Sequence, residues 1–171
     1  MIRDIVIYPD KRLKLISKEV TEFNEELHTL LDDMYDTMVN KKGVGLAAIQ
    51  VGVALRALII NIPQDESDDV QIIKEETLEI VNPQFVTQEG SCKHQEGCLS
   101  IPGFYEDIER FEKIVLEYQD RDGEKHTIEN DDFLAIAIQH EIDHLDGKVF
   151  IEKLSILKRK KFEKDWKKRF K

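Results

Sequence analysis

The chain reads as an α+β protein, with antiparallel strands packed around one central buried helix and a further helix near each end. Three observations predict this. Apolar residues recur at helical spacing over residues 24–41, and Phe162, Trp166 and Phe170 repeat the pattern near the C-terminus. Between these stretches lie short β-branched or alternating runs divided by turn residues. Finally, Phe133-Leu134-Ala135-Ile136-Ala137-Ile138 is apolar on nearly every side, as a helix inside a core must be.

In order along the chain, Ile5-Val6-Ile7 is a short extended piece ended by Tyr8-Pro9. The first helix, residues 24–41, takes Asn24 as its cap and places Leu27, Leu30, Leu31, Met34, Tyr35 and Met38 on its inner face. His28 on this helix has no second ligand type near it and reads as a surface residue. Residues 43–52, rich in glycine and alanine, let something approach the backbone closely. They are either a small-residue strand under a helix or a wall of a substrate site, and Gln50 is the one side chain there with a hydrogen-bonding head.

Residues 55–61 are a buried strand, residues 63–76 an acidic surface loop, and residues 78–81 a strand closed by Asn82-Pro83, with another short strand near Phe85-Val86. Residues 96–103 are turn-rich and carry Cys98. Residues 113–118 alternate, Asp120-Arg121-Asp122-Gly123 turns, and residues 125–129 return as the hairpin partner. Asn130 or Asp131 caps the core helix and Gly147 stops it. Ser155 caps the last helix.

A length of 171 residues and a hydrophobic content of 41% fit one catalytic domain over 1–171. No apolar run approaches the roughly 20 residues of a membrane span, and the N-terminus shows no signal-peptide pattern. A cytoplasmic protein without membrane partners is expected. Cys92 and Cys98 do not make a disulfide framework. The net charge is −10, but unevenly so. Residues 153–171 hold ten Lys or Arg against Glu163 and Asp165, leaving an acidic body that argues against specific DNA binding. The basic C-terminal helix is either a solvated face or a docking element for RNA or another acidic surface.

The chemistry lies in Gln139-His140-Glu141-Ile142-Asp143-His144. His140 and His144 are four apart, so both imidazoles stand on one helix face and can bind one metal ion. Glu141 lies beside them, free to act as a base. A catalytic site of this kind needs a third ligand and an open position. Phe150 stands where one protease pattern wants a third histidine. Glu163, near the position another pattern wants a glutamate, sits in the lysine-rich tail. Cys98 is the best remaining ligand, and a Cys-His-His set suits Zn²⁺ or Fe²⁺. His94 reads as a surface residue.

At this point three stretches together resemble a known family. Gly43-Val44-Gly45-Leu46-Ala47-Ala48-Ile49-Gln50, Glu96-Gly97-Cys98-Leu99-Ser100 and the His140–His144 motif are similar to the three signature motifs of the peptide deformylases, in the same order. The resemblance implies removal of the formyl group from N-formylmethionine on new polypeptides. It implies Fe²⁺ as the natural ion, replaceable by Ni²⁺, Co²⁺ or Zn²⁺. It assigns Cys98, His140 and His144 to the metal and Glu141 to proton transfer. It gives Gln50 and the Leu99 backbone N–H to the developing oxyanion, and Gly45 to the substrate backbone. Val44, Phe133, Ile136 and Ala137 are expected to line the methionine pocket. Because the family acts on emerging chains, residues 153–171 are expected to dock on the ribosome. Two departures are visible. The arginine often found shortly after the cysteine motif is missing from Pro102-Gly103-Phe104-Tyr105-Glu106, and Arg110-Phe111 stands where many members have Arg-Pro, a change expected to matter little. The alternatives are a metallopeptidase of another clan using the same helix, and a binding module with a closed structural metal site.

Overall fold

A computed structural model describes residues 1–63 and 73–169. Among these, α1 is Glu25–Asn40, α2 is Phe133–Leu145 and α3 is Ile156–Arg169. The strands are β1 (Gly45–Ala47), β2 (Ala57–Ile60), β3 (Leu78–Glu89), β4 (Cys92–Cys98), β5 (Ile101–Arg110), β6 (Lys113–Gln119) and β7 (Lys125–Asn130). The class is α+β. An antiparallel sheet runs in the order β1-β2-β3-β6-β7, and β4-β5 form a separate two-stranded ribbon.

The sheet is covered on both faces. Leu58 and Ile60 of β2 pack with Ala135, Ile138, Ile142 and Leu145 of α2. Ala57 and Ile59, on the other side of the pleat, pack with Leu27, Leu31, Met34 and Met38 of α1. That is why β2 reads as an unbroken apolar run rather than an alternating one. A third apolar cluster joins Ile101 and Ile108 of β5 to Phe150, Phe162 and Trp166, which seats α3 on the ribbon.

Local signals act largely as expected. Asn24 Oδ1 accepts from Leu27 N at 3.2 Å and starts α1. Asn130 Oδ1 accepts from Asp132 N and Ala135 N at the start of α2. Gly147, at φ 75°, ends the turn after α2.

Several expectations are corrected. Asn82-Pro83 does not close a strand: β3 runs through it, bulging between Val81 and Gln84 and again between Phe85 and Thr87. Asn82 takes φ 50°, and its side chain bonds both backbone groups of Val20, at 2.8 and 2.9 Å. A short polar side chain tolerates that backbone, and here it ties β3 to the distant Val20 segment. Residues 96–103 are not a plain turn but the end of β4, a tight connection and the start of β5. Ile5-Val6-Ile7 joins no sheet, yet Val6 N donates to Gln50 O and Tyr8 N to Ser100 O, so it ties two loops together. Most of the acidic stretch 63–76, and Phe170, lie outside the described residues.

Candidate metal centre

Cys98 is the last residue of β4, while His140 and His144 are on the inner face of α2. The fold brings them together. Their ligand atoms lie within 4.8 Å of one another. Cys98 Sγ is 3.4 Å from His144 Nε2, and the two Nε2 atoms are 3.3 Å apart. His140 Nδ1 is 2.7 Å from Glu96 Oε1. A carboxylate there keeps the ring proton on Nδ1 and turns the Nε2 lone pair toward Cys98 and His144. Two lone pairs at that separation repel unless a cation lies between them, and thiolate with imidazole is a donor set for Zn²⁺ or Fe²⁺. The residues present therefore fit a divalent metal. Phe150 packs in the apolar core and Glu163 pairs with Arg159 at 3.6 Å, so neither approaches as a ligand.

The surroundings support a cation. Burial opposes a charge on His140, but the Cys98 sulfur and the carboxylates of Glu96 and Glu141 outweigh it and hold the ring's pKa well above its ordinary value. Burial, with His140 and Arg110 nearby, pushes His144 well below its own. Glu96 is buried, which opposes its charge, yet the Arg110 guanidinium and His140 pull its pKa down to about 2.

Arg110 holds Glu96 through two bonds of 2.7 Å and reaches Asp143 on α2 with its third nitrogen. This buried cluster locks the ribbon to the helix. The Arg110-Phe111 departure leaves a backbone N–H on Phe111. This N–H donates to Gln139 Oε1 at 2.9 Å, a bond that proline at this position could not make.

Glu141 is buried, and its Oε2 has no hydrogen-bond partner among the described residues. Burial pushes its pKa up to about 7. Its Oε1 lies 3.9 Å from His140 Nε2, and a buried carboxyl oxygen left without a partner, as Oε2 is, is costly and marks a candidate functional group. A Cβ on Gly45 would stand 3.0 Å from Glu141 Oε1, so glycine there keeps the space beside the carboxylate open. Gln50 is buried. Its Oε1 accepts from Ala47 N at 3.0 Å, and its Nε2 lies 3.1 Å from Ser100 Oγ and 3.4 Å from Cys98 Sγ. The amide is thus oriented with its N–H groups toward the centre. Both open readings of residues 43–52 contain part of the answer: β1 is a small-residue strand, and it also walls the site.

A cleft of about 440 Å³ opens over these groups. Val44, Gly45, Gln50, Leu99, Phe133, Ile136 and Ala137 are all on its wall, beside Cys98, His140 and Glu141. His94 stays outside, packed on the Phe133 ring. His28 is half-buried, with Nε2 2.9 Å from Arg121 O. Glu96, Ser100, Arg110 and Asp143 were not assigned roles from sequence. The available signal was period two: His94, Glu96 and Cys98 share one face of β4.

Comparisons with known proteins give the family. The family model described as polypeptide deformylase matches residues 2–160. A peptide deformylase of Helicobacter pylori (strain P12) is 58% identical over 164 residues, spanning 96% of this chain and 92% of that protein. One from Wolinella succinogenes is 56% identical over 165 residues, spanning 96% and 95%. Among solved structures, a Legionella pneumophila peptide deformylase superposes with a TM-score of 0.87 at 44% identity, covering 99% of this chain and 97% of that one. An Ehrlichia chaffeensis peptide deformylase in complex with actinonin gives 0.88 at 40% identity, covering 98% and 97%.

Proposed function

Since the chain belongs to the polypeptide deformylase family, metalloenzymes that remove the formyl group from the N-terminal formylmethionine of new polypeptides, we propose that Cys98, His140, His144 and Glu141 carry that reaction here. The observation that supports this assignment is the meeting of one sulfur and two ring nitrogens within 4.8 Å, with a buried carboxylate alongside whose Oε2 has no hydrogen-bond partner among the described residues.

Cys98, His140 and His144 would hold the ion, for which we propose Fe²⁺, with Ni²⁺, Co²⁺ or Zn²⁺ able to replace it. When bound, the ion supplies a Lewis acid at the formyl group. The remaining steps belong to the chain. Glu141 removes a proton from the attacking water as a new C–O bond forms at the formyl carbon. Gln50 Nε2 and the Leu99 backbone N–H donate to the formyl oxygen as it gains charge, a donor of this kind being worth roughly 2.7–4 kcal/mol. Glu141 then delivers the proton to the leaving amine as the C–N bond breaks, and formate departs. Gly45 admits the substrate backbone, and Val44, Phe133, Ile136 and Ala137 receive the methionine side chain. We assign all of this to one catalytic domain over 1–171, built around α2 as the central helix and working in the cytoplasm. No helix among the described residues is long and apolar enough to cross a membrane.

The basic C-terminal helix, within residues 153–171, is proposed to dock on the ribosome. Phe162 and Trp166 face the body, while Lys160, Lys161, Lys164, Lys167 and Lys168 stay exposed. Replacing these lysines with glutamine, rather than deleting the helix, keeps its packing and should abolish salt-sensitive binding to ribosomes.

The test of the reaction is formate release from a formyl-Met peptide by protein purified without oxygen, with metal quantified in the same sample. Formate should appear in proportion to bound metal. Cleavage of internal peptide bonds, with formylated peptides spared, would instead favour a metallopeptidase.

A further inference from the structure

Outside the metal centre, the charged residues on the cleft wall are Lys41 and Lys42. Glu96 is committed to Arg110 and His140, and Glu141 lies inside. Both lysines are exposed and neither has an ion-pair partner among the described residues. They stand out on a chain whose net charge is −10. Lys42 also adopts φ 58°, a left-handed backbone where glycine or asparagine is the easier choice. That backbone closes α1, with Lys42 N donating to Val39 O and Gly43 N to Met38 O, so the end of the helix sets both lysines beside the cleft.

From these lysines the chain leads into β1. Among the described residues β1 ends the sheet and pairs on one side only, with β2. Gly45 is next to Glu141 and Gly43 next to the Leu99 side chain, and from β1 the chain runs back through Val44 and Gly43 to Lys42 in the turn that follows α1. Three residues of extended chain span roughly 10 Å. An extended peptide whose formyl end lies at Glu141 and that leaves the cleft past Gly43 brings its second and third residues to the part of the wall that Lys41 and Lys42 line.

We propose that Lys41 and Lys42 make this enzyme select formylated chains with acidic side chains at the second or third position. The inference rests on the deformylase reading above. It adds a preference beyond methionine, set by two cations at the cleft mouth.

The experiment compares formyl-Met-Asp-Asp-Ala-amide, formyl-Met-Ala-Ala-Ala-amide and formyl-Met-Lys-Lys-Ala-amide, at about 0.02 M and about 0.3 M salt, either side of strong screening. The readout is the ratio of kcat/KM for the acidic peptide to that for the neutral one. For the unaltered enzyme at low salt we expect a ratio of roughly five, the size expected of one or two exposed ion pairs. It should fall toward one at high salt and in K41Q/K42Q, and K41E/K42E should turn the preference toward the lysine peptide. A ratio of one in the unaltered enzyme, or a ratio that the substitutions leave alone, overturns the proposal while hydrolysis of the neutral peptide keeps the deformylase reading. Formate from none of the three peptides would defeat that reading, and this proposal with it.

Discussion

His140 Nδ1 stands 2.7 Å from Glu96 Oε1, so a side chain on α2 is oriented by a carboxylate on β4. Glu96 is in turn clamped by Arg110, which also grips Asp143 one turn along the same helix. Ribbon, helix and imidazole are therefore one hydrogen-bonded unit. Glu96→Gln should keep the fold but weaken metal binding by about 10–100-fold, the usual effect of losing a carboxylate behind a histidine ligand. Competition with a chelator measures it; unchanged affinity would show that packing alone orients the ring.

Removing Arg110 should act on stability first. Its side chain is only 3% exposed, against 5% for Glu96. Arg110→Ala would leave a buried carboxylate without its cation, at a cost of roughly 3–5 kcal/mol. Denaturant unfolding should show this loss. A change under about 1 kcal/mol would mean that water reaches Glu96 once the guanidinium is gone.

Glu141→Gln should retain stoichiometric metal, because the carboxylate is not among the grouped ligands. Formate release should fall by about 10²–10⁴-fold, as expected when a positioned acid–base group is removed. Metal analysis and a formate assay on the same preparation separate loss of chemistry from loss of the ion. Unimpaired turnover by metal-loaded protein would require a different base.

The pH dependence of the β6–β7 turn has a definite sign. Asp120 is partly buried, which raises its pKa, but His126 and the backbone N–H groups of Asp122 and Glu124 outweigh this and lower it. A carboxylate with a depressed pKa contributes stability above its unfolded value, and that stability is lost as the pH falls through the folded value. Amide protection in the turn should thus persist at neutral pH and fade as the pH drops below the ordinary aspartate value of 3.8. Hydrogen exchange of Asp122 and Glu124 reports it, and Asp120→Asn should flatten the profile.

How much of this was legible in the sequence depends on the range of each interaction. His140 and His144 share a face because the helix repeats every 3.6 residues, so two ligands and Glu141 could be read locally. The α1 face and the β6–β7 hairpin were readable for the same reason. Glu96 and Arg110 were not, because glycine, serine and proline after Glu96 suggested a turn and hid the alternation of β4. Arg110 is fourteen residues from Glu96 and thirty-three from Asp143, so only the paired ribbon shows that it joins them. Lys41 and Lys42 follow the apolar face of α1 with no local pattern of their own, and only the folded cleft puts them on its wall.

The seat of α3 on the ribbon gives the last prediction. Phe104 of β5 meets Phe162 edge-on with ring centroids 4.6 Å apart, and Trp166 at 5.6 Å. Tyr8 closes the other side, 5.6 Å from Phe162 and 6.0 Å from Trp166. Its backbone N–H bonds Ser100 O, and Ser100 Oγ lies 3.1 Å from Gln50 Nε2. The aromatic cluster thus stands behind the loop that orients Gln50, the proposed oxyanion donor. Trp166→Ala should cost about 3–5 kcal/mol of stability, the usual range for emptying a buried aromatic site. The same change should lower kcat more than it raises KM, since loosening Ser100 disturbs Gln50, which is proposed to act on the transition state rather than to hold the peptide. Thermal unfolding with steady-state kinetics on one formylated peptide tests both parts. A destabilised variant with unaltered kcat would show that α3 supports the fold without reaching the site.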